Sequence, residues 1–79
     1  MTQGEAIALI AELFEESPER LSPETPREDI PAWDSLGVLT LMASLDRDFG
    51  IELTDGEVQG LRKIDDVLEI LRRNGKLAQ

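Results

Sequence analysis

Apolar residues recur at helical spacing in three stretches of the chain, and polar residues fill the positions between them. Ala6, Ile7, Ile10, Leu13 and Phe14 form the first stripe, with Glu5, Glu12 and Glu15 facing water; a helix over about Gln3–Glu16 is predicted. Ser17-Pro18 ends it, because proline cannot continue the backbone hydrogen bonding. Val38, Leu41, Met42, Leu45 and Phe49 form the second stripe, on a helix from Ser35 to Phe49. Ile64, Val67, Leu68 and Leu71 form the third, on a helix from Ile64 to Asn74. Asp65 and Asp66 in its first turn and Arg72 and Arg73 in its last suit the helix dipole, and Asn74-Gly75 is a stop signal. Lys76 to Gln79 are expected to fray. A shorter, weaker helix lies between the last two. Thr54-Asp55-Gly56-Glu57 reads as a capping box that opens it, two glycines weaken it, and Val58 and Leu61 would cover the open side of the bundle near its end at Gly60. Four helices and no strand pattern predict a small all-α four-helix bundle, one domain over residues 1–79.

Between the first two helices, Ser17 to Trp33 holds all four prolines and two large aliphatics, Leu21 and Ile30. A connection of this length is either functional or disordered. The aliphatics are spaced as anchors for a loop laid over the bundle. Pro31 keeps Ile30 out of helical geometry, so the chain is extended or turning until Asp34 caps the second helix. Ser35 is then a hydroxyl in the first turn, at the positive end of the helix, where an anion such as a phosphate is stabilised. By position alone it reads first as an ordinary cap or solvated first-turn serine.

Charge and composition narrow the function. Seventeen acidic and eight basic residues leave a net charge of −9, which argues against nucleic acid and against anionic membrane surfaces. No histidine or tyrosine is present, so the commonest general base is missing and nothing activates Ser35 as a nucleophile. A substrate of other enzymes fits better than an enzyme, and no catalytic residue is assigned. Met1-Thr2-Gln3-Gly4-Glu5 has neither a basic nor a long apolar segment, and no run is long enough to span a bilayer, so a cytoplasmic location is expected. Asp46, Asp48, Glu52, Thr54 and Glu57 approach the spacing of a calcium-binding loop. The match fails because Gly50 offers no oxygen and Ile51 stands where glycine is needed. No metal site is assigned.

Trp33-Asp34-Ser35-Leu36-Gly37, mid-chain at a helix start, resembles the modification motif of the acyl carrier proteins. The resemblance extends through Leu45, Phe49-Gly50-Ile51 and Leu53 to the last helix. It implies a discrete carrier, acting as a monomer. Ser35 would receive a 4′-phosphopantetheine arm from coenzyme A through a magnesium-dependent phosphopantetheinyl transferase, with Asp34 and Leu36 presenting it. The arm's thiol would hold acyl groups delivered and removed by loading and acyl-transfer enzymes. That the chain has no cysteine agrees with a thiol supplied by a prosthetic group. In the family the short third helix borders a cavity that can shelter the acyl chain.

Leu36, Thr40, Ala43 and Arg47 share the stripe of the second helix opposite its core face, beginning beside Ser35, and this stripe is where a partner enzyme would dock. Trp33 is read as packing, docking or both. Carrier proteins of ordinary fatty acid synthesis have acidic residues along this stripe, whereas Gly37, Thr40 and Arg47 stand here and make it neutral to slightly basic. A dedicated pathway is therefore expected rather than the housekeeping synthase. Two alternatives stay open: a peptidyl or aminoacyl carrier using the same arm, and an unmodified acidic helical module that only binds proteins.

Overall fold

The computed structural model describes residues 1–77, and in them the chain is helical: α1 (Gln3–Leu13), α2 (Ser35–Phe49), α3 (Asp55–Gln59) and α4 (Ile64–Arg73), with short 3-10 turns at Pro18–Arg20 and Arg27–Asp29. The predicted four-helix, all-α architecture holds. α4 is its centre, with Ile64, Val67, Leu68, Ile70 and Leu71 all buried. Ala6, Ile10 and Phe14 of α1 and Val38, Leu41 and Leu45 of α2 close over it, while Met42 and Phe49 pack half-buried at the edge. Ile70 lies outside the predicted stripe because α4 is covered over more of its circumference than a surface helix is.

α1 ends earlier than the proline suggests. Phe14 is its C-cap, Glu15 turns left-handed at φ 56°, and Glu16 N–H reaches back to the Ala11 carbonyl at 2.8 Å. This Schellman reversal buries Phe14 and stops the helix before Ser17-Pro18 can act. Gly50 and Gly75 make the same left-handed turn after α2 and α4, where glycine carries no steric cost. The second of these overturns the expected fraying at Lys76 and Leu77. Lys76 N–H donates to the Leu71 carbonyl, Leu77 is buried, and the Met1 ammonium donates to the Lys76 carbonyl at 3.0 Å. Ala78 and Gln79, also expected to fray, lie outside the described residues.

The long loop is ordered, and backbone groups hold it. Ile64 N–H donates to the Thr25 carbonyl at 3.0 Å, Asp65 N–H to the Pro23 carbonyl at 2.8 Å, and Arg27 N–H to the Arg62 carbonyl at 2.8 Å. The middle of the loop thereby satisfies the free donors at the start of α4. Ile30 is buried as an anchor and Leu21 is half-buried. Trp33 adds a further anchor, stacked on Phe14 with ring centroids 5.2 Å apart.

Candidate functional site

Ser35 is the first residue of α2, and it is exposed. Two features of the chain around it produce that placement. Burial of Ile30 and Trp33 fixes the loop immediately before the helix. Asp34 then takes an extended conformation and accepts from Gly37 N–H at 2.9 Å, which starts the helix one residue later. The N–H groups of Ser35 and Leu36 have no intrahelical acceptor, so they point out of the helix end beside the hydroxyl. A phosphate esterified to Ser35 Oγ would sit at the positive end of a 15-residue helix, next to two unpaired donors. The residues present fit such a group.

The docking stripe divides. Leu36, Thr40, Ala43 and Arg47 are exposed together, with Leu36 72% accessible. Leu39, which the sequence reading passed over, is 61% accessible and lies one turn from Leu36. The absence of Leu39 from the periodic core set was the available signal. Gly37 and Trp33 do not present surface: both are buried. A Cβ on Gly37 would stand 1.9 Å from the Ala32 carbonyl oxygen and 3.3 Å from Phe14 Cε1. Packing against the loop therefore requires glycine at position 37, and its lack of a carboxylate carries no information about partners. Trp33 is a packing residue, with the Arg27 guanidinium 6.0 Å from its ring centre and its Nε1 buried without a hydrogen-bond partner.

The stripe's charge falls at the neutral end of the expected range. Arg47 pairs with Asp48 at 3.0 Å, and the exposed Asp46 lies beside them, so the far end of the stripe is not basic. The Arg47 hydrogen bond, aided by Ser44 Oγ–H at 3.1 Å, holds the Asp48 carboxyl below the usual carboxylate range. Beyond the stripe, Met42, Ala43, Asp46, Ile51, Glu52 and Leu53 line a groove of about 350 Å³. α3 contributes no fully buried residue and is held by its own capping box, in which Thr54 Oγ1 accepts from Glu57 N–H and Glu57 accepts from Thr54 N–H. Glu57 also pairs with Arg73 of α4 at 3.1 Å.

A helical bundle that displays an exposed serine at a helix start, with its neighbours anchored, offers a place where a prosthetic arm could be attached. Residues 5–71 match the family described as the phosphopantetheine attachment site. The chain is 35% identical over 83 residues to the acyl carrier protein of Thermosynechococcus vestitus, covering 99% of both. It is 31% identical over 77 residues to the meromycolate extension acyl carrier proteins of Mycobacterium leprae and Mycobacterium tuberculosis, covering 92% of this chain and 67% of theirs. The chain belongs to the acyl carrier protein family. It is a non-enzymatic carrier, and its cofactor is 4′-phosphopantetheine. Among the described residues no helix is long and apolar enough to cross a membrane.

Proposed function

We propose that Ser35 is the attachment point of the arm and that Asp34 and Leu36 present it to a phosphopantetheinyl transferase. One observation carries this reading: Ser35 is exposed at the uncovered N-terminal end of α2, while Ile30 and Trp33 on its chain side are buried and hold it in place. The arm, once attached, supplies a thiol that carries acyl groups as thioesters. Asp34 caps the helix, Gly37 admits the loop, and the Ser35 and Leu36 N–H groups face the phosphodiester. Incubation with coenzyme A and a broad-specificity transferase, read by intact mass spectrometry, tests the assignment. The phosphopantetheine mass is expected on the native chain and not on Ser35→Ala. No mass gain on folded protein sinks the reading and favours the unmodified binding module.

The cargo is delivered and removed by enzymes of a dedicated pathway that dock on Leu36, Leu39, Thr40 and Ala43, with the chain acting as a cytoplasmic monomer. Support comes from the make-up of this stripe, whose exposed residues between Ser35 and Ala43 are uncharged. Partners that recognise carriers through acidic residues find none there. Efficient malonyl loading and elongation by housekeeping fatty acid synthase enzymes would refute the specialisation. Loading by an amino-acid-adenylating enzyme would instead favour an aminoacyl carrier.

A further inference from the structure

Basic residues are scarce in this chain, and several are already engaged: Arg47, Arg72 and Arg73 each pair with a carboxylate. Arg27, Arg62 and Lys63 form no ion pair among the described residues, yet all three line one cleft of about 490 Å³, between the long loop and the junction of α3 with α4. Its size is that of a small-molecule site. The buried Leu61 supplies an apolar wall. Arg27 is fixed in place: its Nε–H donates to the Trp33 carbonyl at 3.0 Å and its guanidinium lies over the Trp33 ring, which leaves the outer fork free for a planar anion.

The Trp33 contact also locates the cleft. Two residues of chain span at most about 7 Å, so the Arg27 guanidinium lies within about 13 Å of Ser35. At the roughly 1.2 Å per bond of an extended backbone, the arm's about 14 bonds reach about 17 Å. We propose that this cleft holds the terminal carboxylate of a dicarboxylic acyl group carried on the arm. The inference rests on Ser35 bearing that arm.

A tethered carboxylate suits the cleft better than a free anion or an acidic protein surface. The chain's net charge of −9 opposes the approach of both. Glu24 and Glu28 also line the cleft and weaken it for ligands that must come from solution. An arm fixed nearby presents its end at about millimolar effective concentration, which suffices for a weak site.

The test compares two cargoes of equal shape. The protein is loaded with succinyl- or succinamyl-phosphopantetheine from the corresponding coenzyme A thioesters, loading is confirmed by mass, and ¹H–¹⁵N spectra are recorded. The succinyl form is expected to shift the Arg27 Nε–H and the amides of Arg62 and Lys63; the neutral succinamyl form is not. The difference is expected to vanish in the Arg62→Gln, Lys63→Gln double variant, whose changed side chains are exposed, and to shrink in the native chain at high salt. Coincident spectra, or equal shifts with both cargoes, overturn the inference while leaving the carrier reading intact. Absence of any mass gain at Ser35 overturns the carrier reading, and this inference with it.

Discussion

The starts of α2 and α4 are built from the same parts and left in opposite states. At α4 the protein consumes its own donors. Ile64 and Asp65 N–H go to loop carbonyls, and the Asp66 carboxylate accepts from Arg62 N–H at 2.8 Å and Lys63 N–H at 3.2 Å. At α2 Asp34 takes the Gly37 donor, and the N–H groups of Ser35 and Leu36 have no protein acceptor among the described residues. The macrodipole is present at both ends, so it does not by itself make a phosphate site. What distinguishes α2 is that the loop, stapled to α4 at its middle, turns inward through Ile30 and Trp33 before it can cover the next helix. Ser35, the proposed attachment point, lies where the fold leaves two helix donors unused.

Removing the inward turn should have the largest effect. Trp33→Ala empties the space over Phe14 and removes the ring that the Arg27 guanidinium lies against, and should cost about 3–5 kcal/mol. Against a total stability of about 4–12 kcal/mol for a chain of this length, that is a large share of the total. Urea denaturation followed by circular dichroism measures it. Trp33→Phe keeps most of the stacking and removes the unpartnered Nε1, so it should fall far short of the alanine variant. Equal losses for the two would show that the ring's packing is not what pins the loop.

A smaller loss follows from filling the close approach of Gly37 to the loop backbone at Ala32. Gly37→Ala sets a methyl group against the Ala32 carbonyl and must displace the loop, for about 1–3 kcal/mol. Transfer of the arm to Ser35 should slow as well, because the start of α2 moves. A thermal melt and a modification time course read the two effects. An unchanged melt would mean the loop yields freely, and position 37 would again be informative about partners.

These expectations mark what the residues made legible. Both ends of α2 were, because Pro31, Asp34 and Gly50 each act locally. The end of α1 was not, since Glu15 carries no glycine-like signal for its left-handed turn. Thr2 and Glu5 form a capping box on α1 with the same spacing as Thr54 and Glu57; the signal was present and passed over. The strapping of the loop was hidden for a different reason: its acceptors are backbone carbonyls, which every residue has. The role of Gly37 depends on a carbonyl five positions earlier that only the packed turn brings close. The cationic cleft joins Arg27 to residues more than thirty positions away, beyond the range of any periodicity. The serine was readable because its chemistry and its cap are adjacent in sequence.

The two caps allow a direct comparison of lesser size. Asp66→Ala frees two backbone donors and should cost about 2 kcal/mol, whereas Asp34→Ala frees one and should cost about 1 kcal/mol. Chemical denaturation of both variants, with Asp34→Ser as a capping control, measures the difference. If Asp34→Ala proved the costlier, the start of α2 would be the more strongly held of the two, against the contrast drawn from their donors.

The smallest effect concerns α3, whose capping box ties the Glu57 carboxylate to the Thr54 N–H. Hydrogen bonding to the Thr54 N–H, assisted by the Thr54 hydroxyl and Arg73, holds the Glu57 carboxyl below its ordinary pKa, despite an opposing contribution from desolvation. The folded chain thus takes up the Glu57 proton at lower pH than the unfolded chain does. The stabilisation is complete above the ordinary glutamate pKa of about 4.3 and is lost as pH falls through the lower folded value. The Thr54 amide resonance should follow that titration with a midpoint below 4.3, and Glu57→Gln should flatten it. Because Glu57 is accessible and Arg73 is more so, the accompanying change in global stability should be slight, and salt should reduce it further. A midpoint at or above the ordinary value would mean that the box does not hold in solution. α3 would then start without its reciprocal cap, and it is the contrast with α4, whose first donors are taken by the loop, that sets the serine's helix apart.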